Sequence, residues 1–352
     1  MTDLPTGLDS FIAKAGWTDA RIEPIPGDAS FRRYFRLRRG AGGGNDDGDS
    51  DGDGAATAIL MHAPPPHEDP EPFLKVARWL SAHGLRAPGI LADDAQNGWV
   101  LTEDFGNDRM REWVDAYPED ETGAYAAAID ALVSLHQQPA GPFPAYDMST
   151  YLREVELLTE WFAPALGLAV DAAGYSRAWE ETLSPVVSRS VPGGGSVTVL
   201  RDYHAENIML LDPSAVERDS QQHRAGAQGL IDFQDALVGH RAYDLVSLLQ
   251  DARRDVSAEL EAEMLQRYVA KIDVGDDFLA DYARLGAQRN AKIVGIFTRL
   301  NERDRKPKYL SMIPRVWAAM ERDLAHPALA PVARWFDANI PADLRARGGA
   351  AQ

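Results

Sequence analysis

No cysteine occurs among the 352 residues, which excludes disulfide staples and thiolate metal sites. Long apolar runs are missing as well, and nothing approaches the roughly 20 residues that span a bilayer. The opening residues Met1-Thr2-Asp3-Leu4-Pro5 have neither a basic start nor an apolar core, so a secretory leader is not expected. Basic charge is scarce: Lys and Arg total 36 against 54 Asp and Glu, a formal net charge of −18. That balance disfavours a nucleic-acid or anionic-membrane partner. These absences lead to the expectation of a cytoplasmic monomer, long enough for one large core or two lobes.

The richest stretch runs from Val197 to Asp235. Val197 and Val199 alternate into the charged run Arg201-Asp202-Tyr203-His204-Ala205-Glu206-Asn207, and residues 208–211 are apolar again. The pattern predicts a strand, a polar loop and a second strand. A further apolar run, Gly229-Leu230-Ile231, ends in Asp232. Asp202, Asn207 and Asp232 are expected to converge at one edge of a small sheet. That trio suits phosphoryl transfer from ATP: Asp202 accepts a hydroxyl proton, while Asn207 and Asp232 hold Mg²⁺ on the nucleotide phosphates.

Upstream, Thr6 to Asp9 reads as a capping box opening a helix with Leu8, Phe11 and Ile12 on one face. Residues 22–37 read as strand, turn and strand, with Gly27, Ser30 and Phe31 at the tip and Arg32, Arg33 and Arg36 just after it. Backbone N–H groups of such a turn can cover phosphates, and the arginines point to an anion. Residues 40–56 are low-complexity Gly and Asp, expected to be a flexible insertion. Within it Asp47, Asp49 and Asp51 imitate a calcium loop, but Ala58 stands where the closing Glu belongs. Strands are expected at 57–63, 90–91 and 99–102, and a helix opens at Pro72 with Phe73, Val76, Ala77 and Leu80 on one stripe. This gives an N-terminal lobe over 1–102, a hinge over 103–107, and a C-terminal lobe over 108–352. Helices are expected at 125–138, 151–162, 175–183, 242–252, 257–272, 278–300 and 313–324. His136 falls on the first of these and reads as structural.

Together these motifs resemble the aminoglycoside phosphotransferase family, relatives of the protein kinases. Asp202-x-His204-x-x-Asn207 matches that family's catalytic loop, Ile231-Asp232-Phe233 its metal-binding strand end, and Gly239 through Tyr243-Asp244-Leu245 its next helix start. The resemblance implies an α+β, kinase-like two-lobed fold, with a β-rich N-terminal lobe and a larger helical one. It also implies ATP and Mg²⁺ as cofactors, and Glu103 and Phe105 where the hinge meets adenine. His204 and Asp235 are the acceptor-side candidates, a family His at this position being more suited to bracing the loop and Asp235 standing either near the metal or simply in solvent. Longer runs, Gly27 to Phe35 and Gly286 to Asn290, are similar to the bacterial amino-sugar 1-kinases of cell-wall recycling within it. Those act at C1 of N-acetylmuramate and N-acetylglucosamine.

One departure concerns the nucleotide. A kinase places Lys on the third strand and Glu on the following helix. Here Met61 and His62 stand near the first position, and residues 73–83 contain no carboxylate. Arg32, Arg33 and Arg36 are the candidates to replace the missing cation. The acceptor is judged by charge. Residues 284–308 hold eight basic side chains against Glu302 and Asp304. Such an island is expected to read a lactyl carboxylate through Arg289, Arg299 and Arg303; the alternative is internal salt bridges in an acidic bundle. An aminoglycoside or choline-like acceptor would call for carboxylates instead, and a nucleotide-binding pseudokinase would not need the Asp202, Asn207 and Asp232 trio.

Overall fold

A computed structural model describes residues 5–26, 31–40, 56–190, 195–211 and 228–350. Gly27, Ser30, nearly all of the Gly/Asp insertion and residues 212–227 lie outside the described residues.

The chain opens with α1 (Leu8–Lys14), whose N-cap is Gly7 at φ 92°, without a side-chain cap bond. The expected capping box from Thr6 does not form, because the left-handed turn at Gly7 takes the cap position one residue later. Five antiparallel strands follow: β1 (Arg21–Ile25), β2 (Arg33–Arg39), β3 (Ala56–His62), β4 (Ile90–Asp94) and β5 (Trp99–Glu103), in spatial order β1-β2-β3-β5-β4. Side chains alternate across this sheet. One face carries Phe35, Leu37, Ala58, Leu60, Trp99 and Leu101, and α1 covers it with Leu8, Phe11 and Ile12. The other face carries Tyr34, Met61 and Val100, joined by Leu74 of α2 (Glu71–Ala82).

The rest of the core does not divide where the sheet ends. Val76, Ala77 and Leu80 of α2 belong to the large helical cluster, although the helix also packs against β4 of the sheet. Phe73 of α2 also stacks on Phe233, with ring centroids 5.2 Å apart. The helical part comprises α3 (Met110–Ala116), α4 (Glu121–His136), α5 (Met148–Leu157), α6 (Ala163–Ala165) and α7 (Ala172–Arg189). After the catalytic segment come α8 (Ala242–Leu249), α9 (Ala258–Val269), α10 (Phe278–Glu302), α11 (Ile313–Leu324), α12 (Ala330–Asn339) and α13 (Ala342–Ala346). α10 is the central post, packing against α5, α8 and α11. At Gly295 it lies so near the end of α5 that an added Cβ would stand 2.4 Å from the backbone carbon of Leu157. A π-helical turn, Leu158–Phe162, begins at that contact.

Between α7 and α8 lie four three-residue strands, β6 (Val197–Val199), β7 (Ile208–Leu210), β8 (Gln228–Leu230) and β9 (Leu237–Gly239). They form two separate antiparallel ladders, β6 with β9 and β7 with β8. The single small sheet expected from the sequence is therefore split. β9 takes the hydrogen bonds of β6, so β7 pairs elsewhere.

Candidate active site

β6 delivers the chain into the loop that carries Asp202. Arg201 has φ 71°, the left-handed region that a side chain disfavours, and Asp232 has φ 60°. Such strain, of order 1–3 kcal/mol per residue, persists only where surroundings enforce it. At Arg201 the enforcement is visible. Asp244, fully buried at the first turn of α8, accepts Leu200 N–H at 2.7 Å and Arg201 N–H at 2.9 Å on its two carboxylate oxygens. Ser247 donates to Arg201 C=O at 3.1 Å. Burial pushes the Asp244 carboxyl up to about 7 despite those two donors.

The loop then closes on itself. Asn207 Nδ2 donates to Asp202 C=O at 3.0 Å and to Asp232 Oδ2 at 3.2 Å, which ties the three residues of the expected trio together. Nδ2 also lies 3.3 Å from His204 Nε2, and Arg253 donates to the same ring nitrogen at 3.2 Å. With the Arg253 guanidinium, which can only donate, on Nε2, the ring proton sits on Nδ1. Burial and the Arg253 charge hold His204 well below its ordinary pKa, so it is neutral. It is 3% exposed and braces the loop; the acceptor-side role does not fit a ring enclosed in this way. Glu206, gripped by Arg111 and by Arg253 at 2.9 Å, braces the other flank.

Asp232 opens on the cleft, yet protein atoms crowd its carboxylate. That crowding, with the charges of Asp202 and Asp235 nearby, raises its pKa despite a hydrogen bond from Gln234 at 2.8 Å. Three carboxylates thus face one space, and the amide nitrogen of Asn207 is already engaged, which leaves its oxygen for a cation. Beside them lies a cavity of about 710 Å³ between α2 and the 234–237 segment, lined by Lys75, Val76, Phe143, Arg201, Gln234 and Asp235 among others.

The basic island of α10 is mostly internal. Arg289 is 4% exposed, and its charge acts on Asp244, Asp251 and His204 behind the loop. Arg299 is ten residues further along the helix, roughly 15 Å at 1.5 Å per residue. Arg303, beyond the end of α10, pairs with its neighbour Asp304 at 2.7 Å. None of the three lines the cavity; one guanidinium nitrogen of Arg289 and the Nε of Arg299 are buried without a hydrogen-bond partner, so neither the expected carboxylate reading nor a set of internal salt bridges is laid out by these arginines. Lys292 does approach the site. It donates to Glu154 at 2.8 Å, and its charge is felt with that of Asp202. Glu154 also accepts from Arg201, the Tyr146 hydroxyl and Gln288, the last at 3.0 Å. The sequence carried no signal for Glu154, which lies on an ordinary amphipathic helix far from the motif.

On the sheet side, Arg36 is held by Asp104 at 2.8 Å, Asn107 Oδ1 at 2.7 Å and Gly106 C=O at 3.0 Å, so it fastens the hinge and is withdrawn from the phosphates. Glu103 forms a bidentate pair with Arg86 and accepts Gly89 N–H, while its own N–H donates to Gly89 C=O at 2.8 Å. The Phe105 ring lies under Arg86, 4.8 Å away, and against Gly229, where any Cβ would come within 2.5 Å of it. Arg33 sits over Phe35 on the α1 side of β2, the wrong face for a phosphate ligand. Arg32 and Phe31 remain at the cleft. Phe31 is 66% exposed and stacks on His67. Met61, at the position expected for Lys, is buried against Leu74.

A strand-and-helix lobe over a helical lobe, with Asp202, Asn207 and Asp232 meeting at their junction, defines a kinase-like phosphotransferase. Residues 21–287 match the model of the phosphotransferase enzyme family. The chain is 36% identical to an N-acetylmuramate/N-acetylglucosamine kinase of Caulobacter vibrioides, over 96% of both chains. It is 33% identical to one of the same name from Pseudomonas aeruginosa, over 92% of this chain and 90% of the other. The fold also matches an ADP-bound aminoglycoside phosphotransferase with a TM-score of 0.58 at 13% identity, covering 95% of this chain and 99% of that one. The chain belongs to the phosphotransferase enzyme family.

Proposed function

We propose that this phosphotransferase uses Mg-ATP to phosphorylate the anomeric C1 hydroxyl of N-acetylmuramate and N-acetylglucosamine, as a cytoplasmic step of peptidoglycan recycling. The observation that carries this reading is the near full-length similarity to kinases bearing those substrates' names. The meeting of Asp202, Asn207 and Asp232 supports the chemistry. Asp202 takes the C1 hydroxyl proton as that oxygen bonds to the γ-phosphorus and the γ-phosphorus bond to the bridging oxygen breaks, releasing ADP. Asn207 Oδ1 and the Asp232 carboxylate hold the metal, a fit that suits Mg²⁺, which commonly takes one or two carboxylates plus phosphate oxygens. When bound, Mg²⁺ draws negative charge from the transferring phosphoryl group. The Asp244 clasp and the Glu206 brace keep the base and the metal residues in register. The cavity beside Arg201 and Asp235 receives the sugar, where Lys75, Arg78 and Arg201 are the lining cations that could meet a lactyl carboxylate.

The test is ADP release from Mg-ATP with the two amino sugars, choline and an aminoglycoside, with phosphorus NMR of the product. Phosphate attached to C1 of the amino sugars is expected. Asp202→Asn should lower kcat by about 10²–10⁴-fold while ATP affinity barely moves. Turnover of a cationic acceptor with none of either sugar would overturn the reading.

A further inference from the structure

The apolar Met61–Leu74 contact leaves the sheet without a cation at that position, yet a cation does face the metal residues from one strand away. Arg32 immediately precedes β2 and shares its parity with Tyr34 and Arg36, the residues of β2 on the cleft face. Its Nε donates to Glu68 Oε2 at 3.1 Å, and the two side chains are only 15% and 16% exposed. Glu68 comes from the loop that leads into α2. Its other oxygen accepts Phe31 N–H at 3.2 Å, so one carboxylate fastens both the backbone and the side chain of the limb leaving the hairpin tip. The Tyr34 hydroxyl is a second hydrogen-bond partner of the guanidinium. Across the cleft, the Arg32 charge acts on Asp232.

We propose that Arg32 and Glu68 form the nucleotide clamp of this protein. Arg32 is the cation that meets the terminal phosphates of ATP, and Glu68 is a positioning residue that presents it. The inference rests on the reading above that the cleft takes ATP. Three features favour it. A pair this sheltered holds its geometry, unlike exposed ion pairs that contribute little. A guanidinium has five donors in a planar fork, so it can keep a carboxylate on one edge and still bind phosphate. Finally, Glu68 lies three residues before α2, and Phe73 of that helix stacks on Phe233, which follows Asp232, so α2 links the clamp to the metal strand.

The experiment is calorimetric titration of the full chain, in Mg²⁺ and without sugar, with a non-hydrolysable ATP analogue and with adenosine. Arg32→Met should weaken the analogue by about 10–100-fold, the loss of one charge-assisted contact, while adenosine changes by less than about twofold. Arg32→Lys should recover part of that loss. Glu68→Gln keeps the cation but loosens it, and should cost the analogue roughly three- to tenfold with adenosine again unmoved. Unchanged analogue binding in Arg32→Met overturns the clamp, as does equal weakening of analogue and adenosine. Should Arg32→Met not fold, an unaltered analogue-to-adenosine ratio in Glu68→Gln overturns it instead. No acceptor is present, so the choice of sugar does not enter. A wild type that binds no analogue would sink the kinase reading itself, whereas intact wild-type binding with an indifferent Arg32→Met sinks the clamp alone.

Discussion

Glu154 is a buried carboxylate with four donors around it, and two of them, Arg201 and Lys292, are charged. Burial alone would raise its pKa, but the Lys292 and Arg201 charges outweigh that and hold it at about 2, against an ordinary 4.5. The folded state therefore binds this proton less tightly than the unfolded chain. The stability so gained is complete above about pH 4.5 and is lost as pH falls towards 2. Glu154→Gln leaves two cations without their counter-charge and should cost about 3–5 kcal/mol at neutral pH. The gap in melting temperature between wild type and Glu154→Gln should narrow steadily from pH 5 to pH 3. A gap that stays constant over that range would mean the carboxylate is not what stabilises the cluster. At this scale the sequence was uneven. Asp202, Asn207 and Asp232 were legible because their chemistry needs a fixed spacing within a short segment. Glu154 and Glu68 were not, since each acts on residues that are neighbours only after folding. Arg289, Arg299 and Arg303 do not line the cavity, since a count of charges along a helix does not say which of them faces one.

Among the elements, α10 shows how a backbone approach decides a residue. Gly is a poor helix former, about 1 kcal/mol worse than Ala, so Gly295→Ala on an isolated helix would be stabilising. Here the added methyl meets the backbone carbon and oxygen of Leu157, at 2.4 and 2.6 Å, atoms that cannot rotate away. Overpacking of that kind typically costs about 1–3 kcal/mol, enough to reverse the sign. The expected outcome is a lowered denaturant midpoint with an unchanged slope; a raised midpoint would show that α5 yields. Helix boundaries were legible where a cap or a glycine marks them, as with Ser257 before α9, whose side chain accepts Leu260 N–H at 3.1 Å. They were lost at α7, which continues through Pro185 to Arg189. A proline inside a pattern reads as a stop, but tertiary packing of Val186 into the core carried the helix past it. α3 and α12 also escaped the reading, the first being too short to show a full period.

At the scale of the molecule, the chain order suggests two lobes joined at residues 103–107, whereas the packing makes α2 a shared element, with Leu74 on the sheet side and Val76, Ala77 and Leu80 in the helical cluster. Cooperative units follow packing more than chain order. Amide hydrogen exchange should therefore show α2 protected together with α4 and α10, while β1 and β2 open at lower free energy. Exchange of α2 in step with the strands would mean that its contacts with the helical cluster are weak. The Met61–Leu74 contact has a further consequence. A salt bridge between strand and helix works as a latch, since it has one satisfied geometry and can be made or broken to turn an enzyme on and off. Apolar contact is non-directional and tolerates sliding. With α2 fixed below and methionine above it, the sheet can rock over the nucleotide as on a bearing. At this position there is no charge to make or break; the ionic tie between the hairpin and the α2 side is the neighbouring Arg32–Glu68 pair, so the pivot and the fastening are separate contacts.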